Sequence, residues 1–384
     1  MLKVAVITNY FPISTHPWNG HSAYQTLRLL ARMCDVHVFY PEAVYPKFMQ
    51  PANPKGSFDR SWNPPDVKVT YIPYPAVPVL TRPLNGFISA SRLRPFVAAY
   101  DPDIVLNYTV YPYGMAALRI ARSLGIPAVL TAIGSDLNRM SDPICAGLTR
   151  WTLRKADFVT TVSHNLCTTA RRIGAPPGST RTKLNGCDTT ILFPRDRQQS
   201  RTELGLSQTA KIIVYVGRLD LRKGLMELVE AVANLRATQP DLKCYIIGDG
   251  ADRGAIVSAI ARHNLGDVIT IVPSCISSKV AIWMGAADLV TLPSYNEGCP
   301  NVVIEAVSAG RPVVATKVGG IPELMNETCG RLVKVRDVPT LATGLDEVLN
   351  AQWNAQEISA KYSRSWQDVA NDLHQIFVEL VGRR

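Results

Sequence analysis

Glu297 and Glu305 are separated by seven residues, in a stretch whose other side chains are mostly small or apolar. A carboxylate on a mostly apolar helix is costly to bury without a partner, so such a residue suggests a ligand. Peptide N–H groups in a loop and at a helix N-terminus favour an anion such as phosphate. The combination suits a ligand with both phosphate and sugar hydroxyl groups. Two solvated glutamates on an ordinary α/β crossover would leave the same pattern.

The elements that would position these glutamates follow from the residues around them. Residues 289–292 form an apolar run typical of a buried parallel strand, and a turn-rich loop follows at residues 293–299. Pro300 is expected at the first helical position, where its missing N–H costs nothing. The sequence therefore predicts Glu297 in the loop and Glu305 in the second turn of the helix.

The second half of the chain alternates short apolar strands with helices, at a spacing typical of a parallel sheet covered on both faces. Ligands of such sheets bind at the carboxyl ends of the strands. The residues predicted at those ends are Gly217, Arg218, Gly248, Pro273, Ser274, Ser294 and Glu297. The element order thus predicts a binding site that includes the first glutamate.

The first half opens with a strand at residues 3–9, a loop that contains Gly20, and a helix at residues 23–33. This arrangement binds anions in doubly wound folds, but without a full Gly-x-Gly-x-x-Gly it does not indicate dinucleotide binding. His21 could relay a proton or could be a structural residue at the helix start. Asp136 follows a later strand and could orient a substrate hydroxyl or cap the next helix.

Two proline-rich segments interrupt the first half, at residues 42–65 and 73–95. Long excursions of this kind in a compact domain are often functional, and the first could border a substrate site. The second interleaves apolar residues with Arg82, Arg92 and Arg94. That composition could meet a membrane surface, and a flap over the core would explain it equally well.

Length and composition restrict the class of protein. A chain of 384 residues suggests two or three domains, and no apolar run of about 18 residues predicts a spanning helix. Residues 1–8 read as a first strand rather than a signal peptide. The eight cysteines are scattered without Cys-x2-Cys, which argues against a zinc site or a disulfide framework. These features indicate a cytoplasmic protein.

The formal net charge of +10 is unevenly distributed. Residues 1–193 contain 20 Lys and Arg against 10 Asp and Glu, whereas residues 194–384 contain 21 of each. A basic half can bind nucleic acid, anionic lipid or a phosphorylated substrate, or can simply aid solubility. No nucleic-acid-binding signature accompanies it, so we expect no nucleic-acid partner.

Several motifs together resemble the donor site of retaining GT-B glycosyltransferases, particularly glycosyltransferase family 4. The two glutamates match the Glu-x7-Glu of that family. The other matching segments are Gly217-Arg218-Leu219, Lys223-Gly224, the run from Val318 to Glu323, and Asn185-Gly186-Cys187-Asp188, which resembles Asn-Gly-Val-Asp. Their order along the chain makes the resemblance specific.

The resemblance implies an α/β fold of GT-B architecture, with two doubly wound Rossmann-like domains facing across a cleft. Residues 1–190 would form the acceptor-side domain and residues 191–365 the nucleotide-sugar-binding domain. The last helix, at about residues 366–384, would return to the first domain.

The resemblance also implies roles for individual residues. Arg218 and Lys223 would neutralise the leaving diphosphate, Arg as a bidentate fork and Lys as a point charge. Glu297 would contact the transferred sugar and Glu305 the ribose. The donor-binding set would be Gly20, Gly217, Gly248, Pro273, Ser274, Gly298, Cys299, Pro300, Asn301, Val302 and Glu305, with Asp136 and His21 on the acceptor side. Ile133 departs from the His or Arg common in the family before Gly-Ser-Asp.

Metal-dependent transferases use Asp-x-Asp, and Asp101-Pro102-Asp103 has that spacing. It precedes a strand, at the wrong end for a ligand site, so we interpret it as a loop and expect no metal site. No pair of carboxylates is placed to straddle a reacting carbon, which argues against double displacement. The family precedent is instead same-face attack, in which a diphosphate oxygen helps to take the acceptor proton.

We therefore expect a retaining, metal-independent glycosyltransferase without a cofactor. Its donor would be a UDP- or GDP-linked sugar, and its acceptor a saccharide or a lipid diphosphate-linked saccharide, with a setting in bacterial envelope or exopolysaccharide synthesis. Contact with the anionic inner face of the cell membrane would fit the basic half. The alternatives are a nucleotide-sugar 2-epimerase of the same architecture and a non-catalytic nucleotide-sugar-binding module.

Overall fold

The computed structural model describes residues 1–46, 59–79, 81–138 and 142–383. They form two compact units, one of Met1–Leu184 with Trp366–Arg384 and the other of Asn185–Ser365. The boundary lies six residues before the predicted one. Asn185 already belongs to the second unit, because its side-chain amide donates to the Cys299 carbonyl at 3.2 Å and to the Asn301 side-chain oxygen at 2.9 Å.

The first unit contains a seven-stranded parallel sheet in the order β3-β2-β1-β4-β5-β6-β7. Its strands are β1 (Lys3–Ile7), β2 (Asp35–Val44), β3 (Lys68–Pro75), β4 (Ile104–Tyr108), β5 (Ala128–Ala132), β6 (Phe158–Thr161) and β7 (Thr180–Thr182). The central strands β4 and β5 are buried at every position. This burial explains why they appear in the sequence as continuous rather than alternating apolar runs.

The helices of the first unit cover both faces of this sheet. They are α1 (His21–Leu30), α2 (Asn85–Tyr100), α3 (Met115–Leu124), α4 (Ser135–Asn138), α5 (Pro143–Lys155), α6 (His164–Ile173) and the C-terminal α14 (Trp366–Val381). Crossovers between parallel strands are right-handed, so α1, which leads from β1 to β2, lies on the face opposite α2, α3 and α5. The terminal helix packs beside α1 and contributes Trp366, Val369, Leu373 and Phe377 to the same core.

The second unit contains a six-stranded parallel sheet in the order β10-β9-β8-β11-β12-β13. Its strands are β8 (Lys211–Val216), β9 (Leu242–Ile247), β10 (Ile269–Val272), β11 (Leu289–Leu292), β12 (Val313–Thr316) and β13 (Gly330–Val333). Its helices are α7 (Arg197–Leu204), α8 (Leu225–Leu235), α9 (Arg253–Arg262), α10 (Ser277–Ala286), α11 (Asn301–Ser308), α12 (Val338–Asn350) and α13 (Ala355–Tyr362). The parallel α/β architecture expected from the alternation is confirmed in both units.

Each sheet has one point where the strand order reverses direction. In the first unit it lies between β1 and β4, and in the second between β8 and β11. Loops leave such a point toward opposite sides and open a crevice at the carboxyl ends of the strands. In the second unit the segments that leave it carry Gly217 and Arg218 on one side and Glu297 on the other.

The sequence interpretation missed α2, because prolines punctuate residues 73–95 and Pro95 lies inside the helix. Proline removes one helical hydrogen bond, the one that would reach the carbonyl of Ser91. Both Ser91 and Pro95 are exposed, so water can satisfy that carbonyl and the helix continues. Within the other predicted excursion, residues 47–58 lie outside the described residues. Among the helices of the described ranges, none is long and apolar enough to cross a membrane.

We predict that Arg201→Leu destabilises the second unit by about 3–5 kcal/mol, because it removes one partner of a buried ion pair. The Arg201 side chain is 2% exposed, its Nη2 lies 2.8 Å from Asp288 Oδ2, and it also donates to the carbonyls of Ala286 and Gln208. Asp288 directly precedes β11. Urea unfolding measures the change.

The matched control is Arg197→Leu, which removes an arginine from the same carboxylate. Arg197 is 52% exposed, so its loss should cost less than about 1 kcal/mol. Equal losses in the two variants would contradict a stabilising role for the buried pair.

Candidate functional site

Glu297 and Lys223 form an ion pair at the carboxyl edge of the second sheet. Lys223 Nζ lies 2.6 Å from Glu297 Oε1, and the two side chains are 29% and 11% exposed. Lys223 ends a short 3-10 turn (Leu221–Lys223), whereas Glu297 lies in the loop that follows β11. Two residues 74 positions apart thus share one small region of the second unit.

The close approach of these segments depends on glycines at two positions. Gly224 has φ +71°, and a Cβ there would lie 2.0 Å from the Pro293 carbonyl oxygen. Gly319 has φ +53°, and a Cβ there would lie 1.7 Å from the carbonyl oxygen of Glu297. Any other residue would clash with backbone and strain its own conformation. The glycine of Lys-Gly and the first glycine after Val318 therefore hold the loop of Glu297 in place.

Hydrogen bonds hold the same loop in a defined position. The Tyr295 amide donates to the Arg222 carbonyl at 2.9 Å, and its hydroxyl donates to Glu227. The Arg336 guanidinium lies 4.4 Å above the Tyr295 ring. The Ser294 hydroxyl is buried and has no hydrogen-bond partner among the described residues. The loop before Glu297 is thus a rigid support rather than a free surface segment.

Arg218 presents its side chain to solvent beside this support. The residue is exposed, and its guanidinium has no hydrogen-bond or ion-pair partner within the described part of the chain. Its carbonyl accepts a hydrogen bond of 2.9 Å from the buried Tyr215 hydroxyl, which fixes the backbone beneath it. Burial is the main reason that the pKa of the Tyr215 hydroxyl is raised, so the hydroxyl stays protonated and donates this hydrogen bond. An unengaged, always-charged fork is suited to bind a diphosphate.

Gly217 and Gly248 continue the pairing of their strands through backbone hydrogen bonds. The Gly217 amide donates to the Ile247 carbonyl at 3.0 Å, and the Gly248 amide donates to the Val272 carbonyl at 2.9 Å. Ser274 donates through both its amide (2.9 Å) and its hydroxyl (2.6 Å) to Asp249 Oδ2, and these bonds lower the pKa of that carboxyl. Pro273 and Ser274 are exposed at the end of β10.

Glu305 lies in the second turn of α11, and the structure confirms this position. The residue is half-buried, and its carboxylate has no hydrogen-bond or ion-pair partner among the residues that the structure describes. Burial raises the pKa of Glu305 to about 7. A polar group kept partly buried and unpaired at a sheet edge is a candidate ligand contact.

The start of α11 differs slightly from the prediction. Pro300 is the N-cap residue rather than the first helical residue, because its ψ of 117° is extended, and Asn301 begins the helix. Gly298, Cys299, Asn301 and Val302 are half-exposed in this segment. The Asn185 side chain bridges Cys299 and Asn301, a contact that sequence reasoning missed although Asn185 belongs to a recognised motif.

The remaining predicted residues lie in the first unit. Gly20 and His21 mark the start of α1, after the loop that leaves β1. Asp136 accepts backbone N–H groups at both oxygens, from Val110 at 2.9 Å and from Gly134 at 2.9 Å. Burial raises the pKa of Asp136 and these hydrogen bonds oppose the rise. Asp136 thus joins the loops after β4 and β5; it lies inside α4, and the N-cap of the following helix α5 is Asp142 instead.

The Asp-x-Asp spacing of Asp101-Pro102-Asp103 belongs to a loop before β4, as interpreted from the sequence. Asp103 accepts the Lys3 amide at 2.7 Å, and Asp101 is the C-cap of α2. Both carboxylates therefore lie at the amino edge of the sheet, away from the end where ligands bind.

We predict that Glu305 makes the stability of the protein fall with rising pH between about 4.3 and 7. Its pKa of about 7 in the folded chain exceeds the ordinary glutamate value near 4.3, so the folded state binds the extra proton in that window. The slope should reach at most about 1.4 kcal/mol per pH unit. Glu305→Gln should therefore gain stability relative to the parent as pH rises through this range.

Urea unfolding of both proteins from pH 5 to 8 measures this difference. Glu327→Gln is the control, because Glu327 is exposed and its substitution should change stability equally at each pH. A difference between Glu305→Gln and the parent that stays constant across pH would contradict the prediction.

Comparison with known families and structures supports the same type of protein. Residues 20–191 match the family described as Glycosyltransferase Family 4, and residues 196–366 match the family described as Glycosyl transferases group 1. TuaC of Bacillus subtilis, a glycosyltransferase named for teichuronic acid biosynthesis, is 28% identical over 97% of this chain and 93% of its own. N-acetyl-alpha-D-glucosaminyl L-malate synthase of Bacillus anthracis is 26% identical over 74% of this chain and 79% of its own.

Solved structures share the fold over the full length. Sucrose-phosphate synthase of Thermosynechococcus elongatus has a TM-score of 0.79 at 21% identity and covers 100% of both chains. Anabaena HepE in complex with UDP has a TM-score of 0.78 at 16% identity, with 99% of this chain and 100% of HepE covered. The predicted GT-B architecture is thereby confirmed, and the chain belongs to the GT-B glycosyltransferases of the glycosyltransferase family 4 type.

Proposed function

We propose that this chain transfers a sugar from a UDP- or GDP-linked donor to a saccharide or lipid-linked acceptor, with retention of configuration and without a metal ion or cofactor. The observation that carries the proposal is the exposed Arg218 guanidinium beside the Lys223–Glu297 pair at the carboxyl edge of the second sheet. Breaking the sugar–diphosphate bond leaves negative charge on the diphosphate. Stabilising such developing charge is usually the largest single catalytic contribution.

Arg218 and Lys223 have different tasks in this mechanism. Arg218 is unengaged and can bind two diphosphate oxygens through its fork. Lys223 is held by Glu297 at 2.6 Å, so its ammonium is already positioned when the donor arrives. A diphosphate that approaches Lys223 would share or replace this pairing, which would leave Glu297 to accept hydrogen bonds from the hydroxyls of the transferred sugar.

Retention would follow from attack on the same face as the departing diphosphate. A diphosphate oxygen would take the proton of the acceptor hydroxyl as the new glycosidic bond forms and the sugar–oxygen bond breaks. Such a route needs no protein carboxylate opposite the reacting carbon. Proton NMR of the first product tests it: an α-linked product from an α-linked donor is expected, and a β-linked product would exclude retention.

A setting in envelope or exported polysaccharide synthesis is supported by the name of the Bacillus subtilis relative, which refers to teichuronic acid. UDP as the donor nucleotide is supported by the structures of HepE in complex with UDP and with UDP-glucose. Donor incubated without acceptor separates the alternatives, because an epimerised donor would indicate an isomerase.

Contact with an anionic membrane is supported by one face of the first unit. Helices α2, α3 and α5 carry seven basic residues and no acidic one, and all seven are exposed. They are Arg92, Arg94, Arg119, Arg122, Arg150, Arg154 and Lys155. Phe96, Ile144 and Trp151 are exposed among them, at 50%, 62% and 36%. Cationic side chains attract anionic lipid headgroups, and the apolar side chains among them can insert into the membrane interface.

Arg218→Ala should lower kcat/KM by about ten- to a hundredfold, because a charge-assisted contact contributes about 1.5–3 kcal/mol. The fold should remain intact, since the guanidinium supports no other described residue. Steady-state kinetics with a UDP- or GDP-sugar donor provide the measurement.

Arg222→Ala is the control for Arg218→Ala. Arg222 lies in the Leu221–Lys223 turn, is 65% exposed and is already paired with Asp220, so its loss should leave turnover within about twofold. Lys223→Met is expected to impair turnover as Arg218→Ala does. Near-parental kinetics in both Arg218→Ala and Lys223→Met would refute the assignment.

Glu305→Gln should weaken both the nucleotide sugar and the free nucleoside diphosphate by about 1.5–3 kcal/mol, since Glu305 is proposed to accept the ribose hydroxyls as a carboxylate. Glu297→Gln should weaken the nucleotide sugar and spare the free nucleotide. Calorimetric titration of both variants with both ligands distinguishes the roles, and the reversed pattern would exchange them.

The raised pKa of Glu305 adds a pH signature to the same titration. A ligand that binds the ionised Glu305 carboxylate should bind more weakly as the pH falls below about 7, because a growing fraction of Glu305 is protonated. The affinity should fall by up to about tenfold per pH unit. Glu305→Gln should bind the nucleotide sugar weakly and without this pH dependence. A nucleotide-sugar affinity that stays constant in the parent from pH 5.5 to 8 would argue against direct ribose contact.

Arg150→Gln should weaken binding to phosphatidylglycerol vesicles by about fivefold, which corresponds to about 1 kcal/mol for one charge near an anionic surface. The control is Arg32→Gln, an exposed arginine just after α1, the helix on the opposite face of the sheet. Vesicle co-sedimentation at low and high salt measures both. Equal affinities for the two variants, or binding insensitive to salt, would favour a simple solubility charge.

A further inference from the structure

The first unit contains a cavity of about 500 Å³, lined by both aromatic and polar residues, at the carboxyl edge of its sheet. The loops that follow β1, β4 and β5 and the ends of β2 and β3 supply its walls, where ligands of doubly wound sheets bind. Tyr45, Tyr74, Tyr111 and Tyr113 provide aromatic faces, with Asn85 and Thr109 among the polar lining residues. Aromatic faces combined with hydrogen-bonding groups suit a sugar ring.

Two features of this cavity are costly in the absence of a ligand. Asn85 Oδ1 is buried and has no hydrogen-bond partner among the described residues, which leaves an acceptor unsatisfied. Thr109 has φ +81°, a conformation that is strained for a β-branched residue. Its backbone is held there by Thr131, whose carbonyl accepts the Thr109 amide at 2.9 Å. Strain and unsatisfied polar groups of this kind concentrate at binding sites.

An apolar groove of about 720 Å³ adjoins the cavity. Tyr45, Tyr74 and Val77 line both, so the two spaces share one wall. Its remaining described lining residues are mostly apolar: Val44, Pro46, Pro73, Pro75, Ala76, Thr81, Ile88 and Arg92. A free saccharide would leave this apolar surface exposed to water.

Arg92 is the one charged residue in the described lining of the groove, and its guanidinium has no hydrogen-bond or ion-pair partner among the described residues. It also belongs to the seven-residue basic face of α2, α3 and α5. The groove therefore joins the polar cavity to the face that suits an anionic membrane. A molecule that bridges them needs a polar head, a hydrocarbon chain and a route to a bilayer.

We propose that the acceptor is a lipid-linked saccharide whose sugar occupies the cavity and whose hydrocarbon chain lies in the groove. This inference rests on the proposed glycosyl transfer and narrows its acceptor to one class. Asn85 Oδ1 accepts a hydroxyl of the acceptor sugar, the tyrosines contact its ring, and Ile88 packs against the chain. Arg92 lies one helical turn beyond Ile88 on α2, where the groove reaches the basic face.

Alkyl β-glucosides of increasing chain length, each below its critical micelle concentration, test the groove. Burial of methylene groups strengthens binding by about three- to fourfold per methylene. Calorimetric titration with the hexyl, heptyl and octyl glucosides should therefore show a steep chain-length dependence, which Ile88→Glu should abolish. Phe96→Glu is the matched control on the same helix, because Phe96 is 50% exposed and lines neither space; its chain-length dependence should equal that of the parent.

Three results would overturn the inference: no binding of any glucoside, an affinity independent of chain length, or equal chain-length dependence in Ile88→Glu and the parent. Tighter, Ile88-dependent binding of dihexanoylphosphatidylglycerol than of octyl glucoside would assign the groove to a bilayer lipid and overturn it as well. Nucleotide-sugar turnover is measured separately. A flat chain-length series with turnover intact refutes only this inference, whereas absent turnover with any donor refutes the proposed function.

Discussion

The ion pair between Lys223 and Glu297 depends on the close approach of two loops. A side chain at either of two glycine positions would keep their backbones apart. One loop leaves β8 and the other leaves β11, which are neighbouring strands at the point where the sheet order reverses. Gly224 and Gly319 permit backbone-to-backbone contact at either end of the Glu297 loop. Because these contacts are between main-chain atoms, the carboxylate is positioned before any ligand arrives, and little rearrangement is needed when charge develops.

The candidate site contains two cations and two anions. One cation and one anion form an ion pair with each other, and the other two have no ion-pair partner among the described residues. Lys223 and Glu297 neutralise each other, which lowers the cost of holding both partly buried. Arg218 and Glu305 have no such partner among the described residues. Arg218 is exposed, so water solvates it, whereas burial leaves Glu305 with a pKa of about 7. Ligand binding at the unengaged pair therefore gains interactions without breaking existing ones, and the engaged pair provides the fixed frame.

The first unit uses the same topology for a different surface. Its carboxyl edge carries a cavity lined by four tyrosines together with polar and charged residues, and seven basic residues lie on α2, α3 and α5. Asp136, Gly20 and His21 lie at or near that edge, and Asp136 acts through backbone hydrogen bonds. The division agrees with the charge asymmetry of the sequence: the half with balanced charge holds the proposed nucleotide site, and the basic half has the face suited to anions.

Most strands and helices could be predicted from the sequence, and the two glutamates and two cations of the candidate site could be proposed from it, because apolar runs at α/β spacing leave few topologies and ligands of such sheets bind at the carboxyl ends of strands. Other features required the tertiary structure. Sequence could not pair Lys223 with Glu297 across 74 residues, reveal the carbonyl that Gly319 must avoid, or show that Asp136 is occupied by three backbone amides. Helix α2 was missed because the prolines in and before it argue against a helix, whereas the burial of one of its faces is visible only in the folded unit. Periodicity is a local property of the chain, whereas these contacts depend on distances that exist only after the strands have assembled.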